Sequence, residues 1–217
     1  MTIRILLADD HKIVFDSLKS LLDRQPDMEV VGGAENGRVA VEQVHELNPD
    51  VVIMDVTMPN LNGIEATHQI TSKYPEIKVV ALSMHADKQF VTGILSAGAA
   101  GYLTKNCSFD ELVKAVRLVA ANKKYLCPDV TGIVIEESLS GGSDKGSSAT
   151  DLLTSREREV LQLLAEGKTI KQIAEQLFLS IKTIYTHRDQ IMKKLNVENM
   201  AELTKLALRD GLIAPQD

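Results

Sequence analysis

Along the first half of the chain, short aliphatic runs alternate with longer stretches whose apolar residues recur with helical spacing. The runs are Ile3–Ala8, Met28–Ala34, Val51–Met54, Val79–Ser83 and Gly101–Thr104. Their near-continuous Val, Ile, Leu and Met content suits parallel strands covered on both faces. Between them the spacing predicts helices near residues 12–24, 37–47, 63–73, 87–96 and 108–121. Five such units with short connections predict an α/β domain built on one doubly wound sheet with helices on both sides, because parallel crossovers are overwhelmingly right-handed.

The alternation stops after Ala121. Ser140-Gly141-Gly142-Ser143 through Gly146-Ser147-Ser148 is small and polar, the composition of a flexible connector. Apolar Ile133, Val134 and Leu139 predict a short helix between Pro128 and Ser138. From Thr154 only helical spacing remains, with helices expected near 155–166, 170–177, 181–194 and 199–209. Thr154 or Ser155 can cap the first, and Glu157 and Glu159 suit its positively polarised first turn. Val160, Leu161, Leu164, Ile173, Ala174, Leu177, Ile184, Ile191, Leu195, Leu203 and Leu206 fall at core spacing. The expected division is a first domain at 1–121, a connector at 122–150 and an all-α domain at 151–217.

At 217 residues the chain is long enough for two cores, single domains commonly running to about 100–150 residues. Its 44% hydrophobic and 25% charged residues are ordinary globular usage and exclude a wholly disordered or membrane-embedded class. No apolar run approaches the roughly 18 residues of a membrane span, and Met1-Thr2-Ile3-Arg4 leads straight into a strand, so neither a membrane segment nor a signal peptide is expected. Cys107 and Cys127 are too few for a disulfide framework and lack metal-site spacing, which points to free thiols in the cytoplasm. Net charge is −6. Residues 1–150 hold 14 Lys/Arg against 20 Asp/Glu, and residues 151–217 hold 10 against 10. Any nucleic-acid surface on the helical domain must therefore be local.

Asp9 and Asp10 follow the first predicted strand, Asp55 the third and Lys105 the fifth, while Ser83 ends the fourth. In an open parallel sheet these carboxyl ends share one edge, where ligands bind. Taken singly, each carboxylate could be a solvated turn residue or a helix cap; five polar residues converging in this way argue against that. Clustered carboxylates repel unless a cation neutralises them, and hard oxygen ligands suit Mg²⁺. Asp10 and Asp55 are the expected direct ligands with the backbone carbonyl of Thr57, and Asp9 acts through water. Asp55 could then attack a phosphoryl group in line and become an acyl phosphate, with Lys105 and the Ser83 hydroxyl on the phosphate oxygens. Thr57 and His85 would flank a water attacking that phosphate. The five histidines show no ligand-like grouping, which disfavours His85 as a metal ligand.

Residues 3–121 resemble a response-regulator receiver domain, through Asp9-Asp10, Asp55-Val56-Thr57-Met58-Pro59 with Gly63 beyond it, Ser83, and Tyr102 with Lys105. The resemblance implies a flavodoxin-like sheet of five parallel strands in the order 2-1-3-4-5, Mg²⁺, and phosphoryl transfer from a sensor histidine kinase to Asp55. It also implies that Tyr102 rotates inward when Ser83 moves towards the phosphate. Without it, Tyr102 could equally be a surface aromatic at a strand edge. Phosphatases of the haloacid dehalogenase type also pair an aspartate nucleophile with Mg²⁺, but they normally require a second Asp where this chain has Thr57, which cannot act as general acid. Multiple turnover, and an enzyme as such, are therefore not expected. The chain has no glycine-rich phosphate loop or dinucleotide fingerprint.

Ala165–Lys194 reads helix, glycine-containing turn, helix, short turn, helix, as helix-turn-helix domains do. The last helix turns Ile184, Ile191 and Leu195 inward and offers Lys182, Thr183, Tyr185, Thr186, Arg188, Asp189, Lys193 and Lys194 outward. Four bases against one acid give it a local +3. Either a solvated amphipathic face or a helix for the major groove fits this pattern. Residues 152–213 resemble a LuxR-type helix-turn-helix, through Leu153-Thr154-Ser155-Arg156-Glu157-Arg158-Glu159-Val160-Leu161, Lys171-Gln172-Ile173-Ala174, Lys182-Thr183-Ile184 with His187, and Lys194-Leu195. By that resemblance Tyr185, Thr186 and Asp189 take base-reading positions, Lys182, Thr183, Arg188 and Lys193 contact the backbone, and His187 is structural. Asp189 departs from the basic or neutral residue of many relatives.

Receiver plus this domain is the NarL/FixJ class of response regulators. The class implies a transcription factor that binds double-stranded DNA, forms a homodimer on activation and has RNA polymerase as a candidate further partner, away from membranes. Two rivals stay open: a docking or phosphate-sink protein without transcriptional output, and a regulator independent of phosphorylation.

Overall fold

The aliphatic runs pair as parallel strands β1 (Ile3–Ala8), β2 (Met28–Ala34), β3 (Val51–Asp55), β4 (Lys78–Ser83) and β5 (Gly101–Thr104). In this computed structural model, residues 2–84, 86–139 and 149–213 are described. The predicted glycine-serine connector and His85 lie outside them. The chain divides into two compact units, one within residues 1–141 and the other within 142–217.

Successive strand residues face opposite sides of the sheet, so each strand feeds two cores. Ile5, Leu7, Ile53, Leu82 and Leu103 face α1 (Lys12–Leu22) and α5 (Phe109–Ala120), meeting Leu22, Leu112 and Val116. Leu6, Val52 and Met54 face α2 (Gly37–Leu47) and α3 (Gly63–Lys73), meeting Ala40, Val44, Ala66 and Ile70. Asn36, Asn62 and Ser108 cap α2, α3 and α5, each side chain accepting a backbone N–H of the first turn.

The sheet has the expected parallel order β2-β1-β3-β4-β5, and a sixth strand is added at its edge beside β5. β6 (Tyr125–Leu126) is two residues long, too short for any periodicity, and is held by Tyr125 N–H donating to Ala100 O at 3.1 Å and Cys127 N–H to Tyr102 O at 3.0 Å. The predicted short helix is present as α6 (Pro128–Leu139). It packs on α4 (Lys88–Ser96), where Val130, Ile133 and Val134 meet Phe90, Val91 and Ile94 and Lys88 pairs with Glu137. Residues 125–139, expected within the connector, are therefore folded onto the first unit.

The second unit opens with a 3-10 turn at Ala149–Leu152, followed by α7 (Ser155–Ala165), α8 (Ile170–Gln176), α9 (Ile181–Leu195) and α10 (Met200–Arg209). The predicted core residues form one cluster, with Leu206 at its edge. Thr154 with Glu157 and Thr169 with Gln172 close reciprocal capping boxes on α7 and α8. The buried Glu157 carboxylate also accepts from Lys194 Nζ at 2.6 Å. Burial pushes its pKa up, but the Lys194 ammonium and the Thr154 bonds outweigh that, leaving it below the ordinary carboxylate value. A carboxyl depressed in the folded state contributes stability above its unfolded value of about 4.5, and loses it as pH falls through the folded one. Glu157→Ala is accordingly expected to destabilise the helical unit by about 1–2 kcal/mol at neutral pH. Urea denaturation should show the difference from wild type shrinking as the pH drops below the ordinary carboxylate range; a constant difference would contradict the assignment.

Candidate phosphoacceptor site and DNA-facing helix

Because all strands of the sheet run parallel, the residues at their carboxyl ends share one rim. Lys105 follows β5, and its Nζ lies 2.7 Å from both Asp9 Oδ2, after β1, and Asp55 Oδ2, at the end of β3. Asp9 and Asp55 are buried, the latter only 2% exposed, whereas Asp10 beside them is open to solvent. Lys105 N–H donates to Ser83 O at 2.7 Å, joining β4 to the group. Thr57 N–H donates to Asp55 Oδ1 at 3.3 Å. Behind Asp55, Gly63 N–H donates to Val56 O at 2.9 Å, and a Cβ at Gly63 would lie 2.0 Å from Asp55 O. The start of α3 thus rests directly on the backbone at Asp55 and Val56.

The sequence missed His11. Its Nδ1 lies 2.9 Å from Asp10 Oδ1 and 3.4 Å from Asp9 Oδ1, and its N–H donates to Asp9 Oδ1 at 2.9 Å. Asp9, Asp10, His11 and Asp55 bring one ligand atom each within 4.8 Å of one another. Contrary to the expectation that no histidine has a ligand-like grouping, His11 groups with carboxylates and not with other histidines. Its adjacency to Asp10 was the available signal.

Burial pushes the Asp55 carboxyl above its ordinary range against the pull of the Lys105 ammonium, and the Asp9 charge adds to the rise. Lys105, which burial alone would lower, is raised by its two carboxylate partners and stays cationic. One ammonium thus serves two buried acids with a third alongside, a local excess of negative charge that a divalent cation would relieve. Three carboxylates, one of them open to water, fit a hard octahedral ion that retains part of its water shell.

Tyr102 is 0% exposed and hydrogen-bonded to Ser83, and burial pushes its hydroxyl up to about 12. Phe90, Ile94, Cys127 and Val130 surround it. The surface-aromatic alternative is overturned, because β6 and α6 cover β5 and leave it no open edge. Cys107 and Cys127 are both free thiols.

On α9, Ile184, Ile191 and Leu195 are buried, while Lys182, Tyr185, Thr186, Asp189 and Lys193 are exposed. Thr183 belongs to the N-terminal cap, its hydroxyl 2.8 Å from that of Ser180. Arg188 donates to Asp189 and lies over the Tyr185 ring, 5.1 Å from its centroid. Lys194, grouped from sequence with the outward residues, commits its ammonium to Glu157 on α7. His187, near the middle of α9, is half-buried, and its Nδ1 has no hydrogen-bond partner among the described residues. Exposed Phe178 and Ile181 at the entrance to α9 were not singled out from the sequence. Among the described residues, no helix is long and apolar enough to cross a membrane.

Residues 5–117 match the family described as response regulator receiver domain, and residues 151–207 that described as bacterial regulatory proteins, luxR family. The chain is 38% identical to the transcriptional regulatory protein DegU of Brevibacillus brevis, the match covering 97% of this chain and 95% of that protein. It is 37% identical to the oxygen regulatory protein NreC of Staphylococcus carnosus, with 97% and 99% covered. Among solved structures, RcsB from Salmonella enterica serovar Typhimurium, bound to a promoter in the presence of the phosphomimetic BeF3−, is similar at 28% identity and a TM-score of 0.60, with 95% of this chain and 98% of that chain covered.

Proposed function

The chain belongs to the NarL/FixJ class of two-component response regulators, and from that premise we propose that phosphorylation of Asp55 by a sensor histidine kinase controls its dimerisation and its sequence-specific binding to double-stranded DNA. Transcription regulation is the output of this receiver and LuxR-type pairing. The observation that carries the reading is Lys105 bridging Asp9 and Asp55 at one rim, with Ser83 and Tyr102 bonded to each other beside it. In the transfer, an Asp55 carboxylate oxygen forms the new O–P bond as the P–N bond of the donor phosphohistidine breaks. Asp10 and Asp55, with the Thr57 carbonyl, are the proposed ligands of Mg²⁺, and Asp9 acts through water. Bound there, the ion neutralises charge on the carboxylates and on the phosphoryl oxygens.

The phosphoryl group adds about −1.5 to −2 charge to this crowded rim. Lys105 then exchanges a carboxylate for a phosphate oxygen, and the Ser83 hydroxyl turns towards another, changing its bond to Tyr102. Inverting a 1:99 population takes about 5.5 kcal/mol, a sum several charge-assisted hydrogen bonds can supply. The proposed division of labour is a receiver at 1–121 continued by β6 and α6, a connector within 122–150 and a DNA-binding domain at 151–217. DNA as partner places the working protein in the cytoplasm, with RNA polymerase a further candidate.

On DNA, α9 enters the major groove, Tyr185, Thr186 and Asp189 towards bases and Lys182, Thr183, Arg188 and Lys193 towards the backbone. The promoter-bound state of RcsB supports this docking by likeness. Selection of DNA fragments by phosphodonor-treated protein, followed by footprinting, tests it; failure to enrich any sequence would favour a docking protein without transcriptional output. On the selected operator, Lys193→Ala is expected to reduce the slope of log affinity against log salt by about 1. An unchanged slope would remove Lys193 from the phosphate contacts.

A further inference from the structure

Asp189 is the one acid in α9. At about 100° per residue, Lys182, Thr186, Asp189 and Lys193 all point within about 40° of the direction opposite the buried Ile184. Asp189 thus stands at the edge of the outward stripe, where a bare carboxylate would meet the negative field of the DNA backbone. It is not bare. Arg188 Nη2 and Nε lie 3.0 and 3.3 Å from the same oxygen, Asp189 Oδ1, and the guanidinium rests on the Tyr185 ring. Asp189 Oδ2 has no hydrogen-bond partner among the described residues.

We propose that Tyr185, Arg188 and Asp189 act as one charge-neutral reading unit, in which Arg188 neutralises and orients Asp189 so that its free Oδ2 accepts the N4 amino group of a cytosine. The inference rests on the reading that α9 lies in the major groove, and goes beyond it by naming the base and by making Arg188 a positioning residue instead of a backbone contact. Cytosine follows from the groove chemistry. An acceptor-only oxygen is repelled by guanine O6 and N7 and by thymine O4. Adenine offers a donor, but with the N7 acceptor beside it; cytosine presents its amino donor next to an apolar edge. The Tyr185 ring lies under the guanidinium, its centroid 5.1 Å from the guanidinium carbon, and so helps to hold the arginine in place before DNA arrives.

The test uses the full-length, phosphodonor-treated protein in DNA selection and in affinity measurements on the selected operator. Wild type is expected to require a cytosine at one position of each half-site, with substitution costing about tenfold in affinity. Asp189→Ala should lose the preference at that position alone and keep the rest of the operator. Arg188→Ala should bind several-fold more weakly, because the acid is left uncompensated, and Arg188→Ala with Asp189→Ala should recover that loss without recovering the cytosine preference. Both substituted side chains lie on the outside of α9, Asp189 exposed and Arg188 half-buried, so folding is not at stake. An operator without a fixed cytosine, a preference that survives Asp189→Ala, or a double variant as weak as Arg188→Ala would each overturn the unit while leaving the groove docking standing. If wild type enriches no sequence at all, the docking falls and the unit with it.

Discussion

An Asp55→Asn variant is expected to take up no label from a small phosphodonor and Mg²⁺ under conditions that label the wild-type chain. The carboxamide matches the carboxylate in shape, and Lys105 keeps its second partner, Asp9, at 2.7 Å, so the rim should stay assembled. What is removed is the anionic oxygen proposed to attack phosphorus, for which an amide is no substitute. The loss should therefore be complete in labelling and slight in circular dichroism. Undiminished labelling would move the acceptor elsewhere, and unfolding of the variant would make the result a statement about stability instead.

Gly63→Ala should produce the largest loss from a single methyl group. The added Cβ would stand 2.0 Å from Asp55 O and 3.0 Å from Val56 Cα, backbone atoms that no rotamer change can move aside. Either the first turn of α3 lifts, breaking the Gly63 N–H bond to Val56 O, or the acceptor segment shifts at the rim. Overpacking that forces backbone shifts costs about 1–3 kcal/mol and occasionally more, and a contact this short belongs at the upper end. Urea denaturation should show that loss, and labelling of the folded fraction should slow because Asp55 and Lys105 no longer meet in register. A variant as stable and as readily labelled as wild type would contradict the close approach of α3 to the acceptor.

Asp9, Asp55 and Lys105 could be gathered from the sequence because a topological rule does the work: parallel strands place their carboxyl ends together whatever lies between them. The six-stranded sheet could not be read, because β6 has two residues and no pattern. That omission also hid the fate of Tyr102, whose burial depends on β6 and α6 covering β5. The Lys194 bond to Glu157 spans 37 positions and two helices, so no local spacing announces it, and Lys194 read as one more outward base. His11 was visible only to a search that mixed imidazole with carboxylate. The arrangement of Arg188 between Tyr185 and Asp189 depends on rotamers that helical periodicity does not specify.

On the proposed function, charge placed on Asp55 changes what the helical unit does with DNA. The most direct measurement is the binding isotherm of one selected operator, at one salt concentration, for the unmodified protein and for protein phosphorylated at Asp55. The phosphorylated isotherm is expected to be displaced to at least tenfold lower protein concentration and steepened by dimer formation, a displacement of about 1.4 kcal/mol or more. Coincident isotherms across the whole concentration range would contradict it and leave a regulator that binds DNA without reference to the receiver.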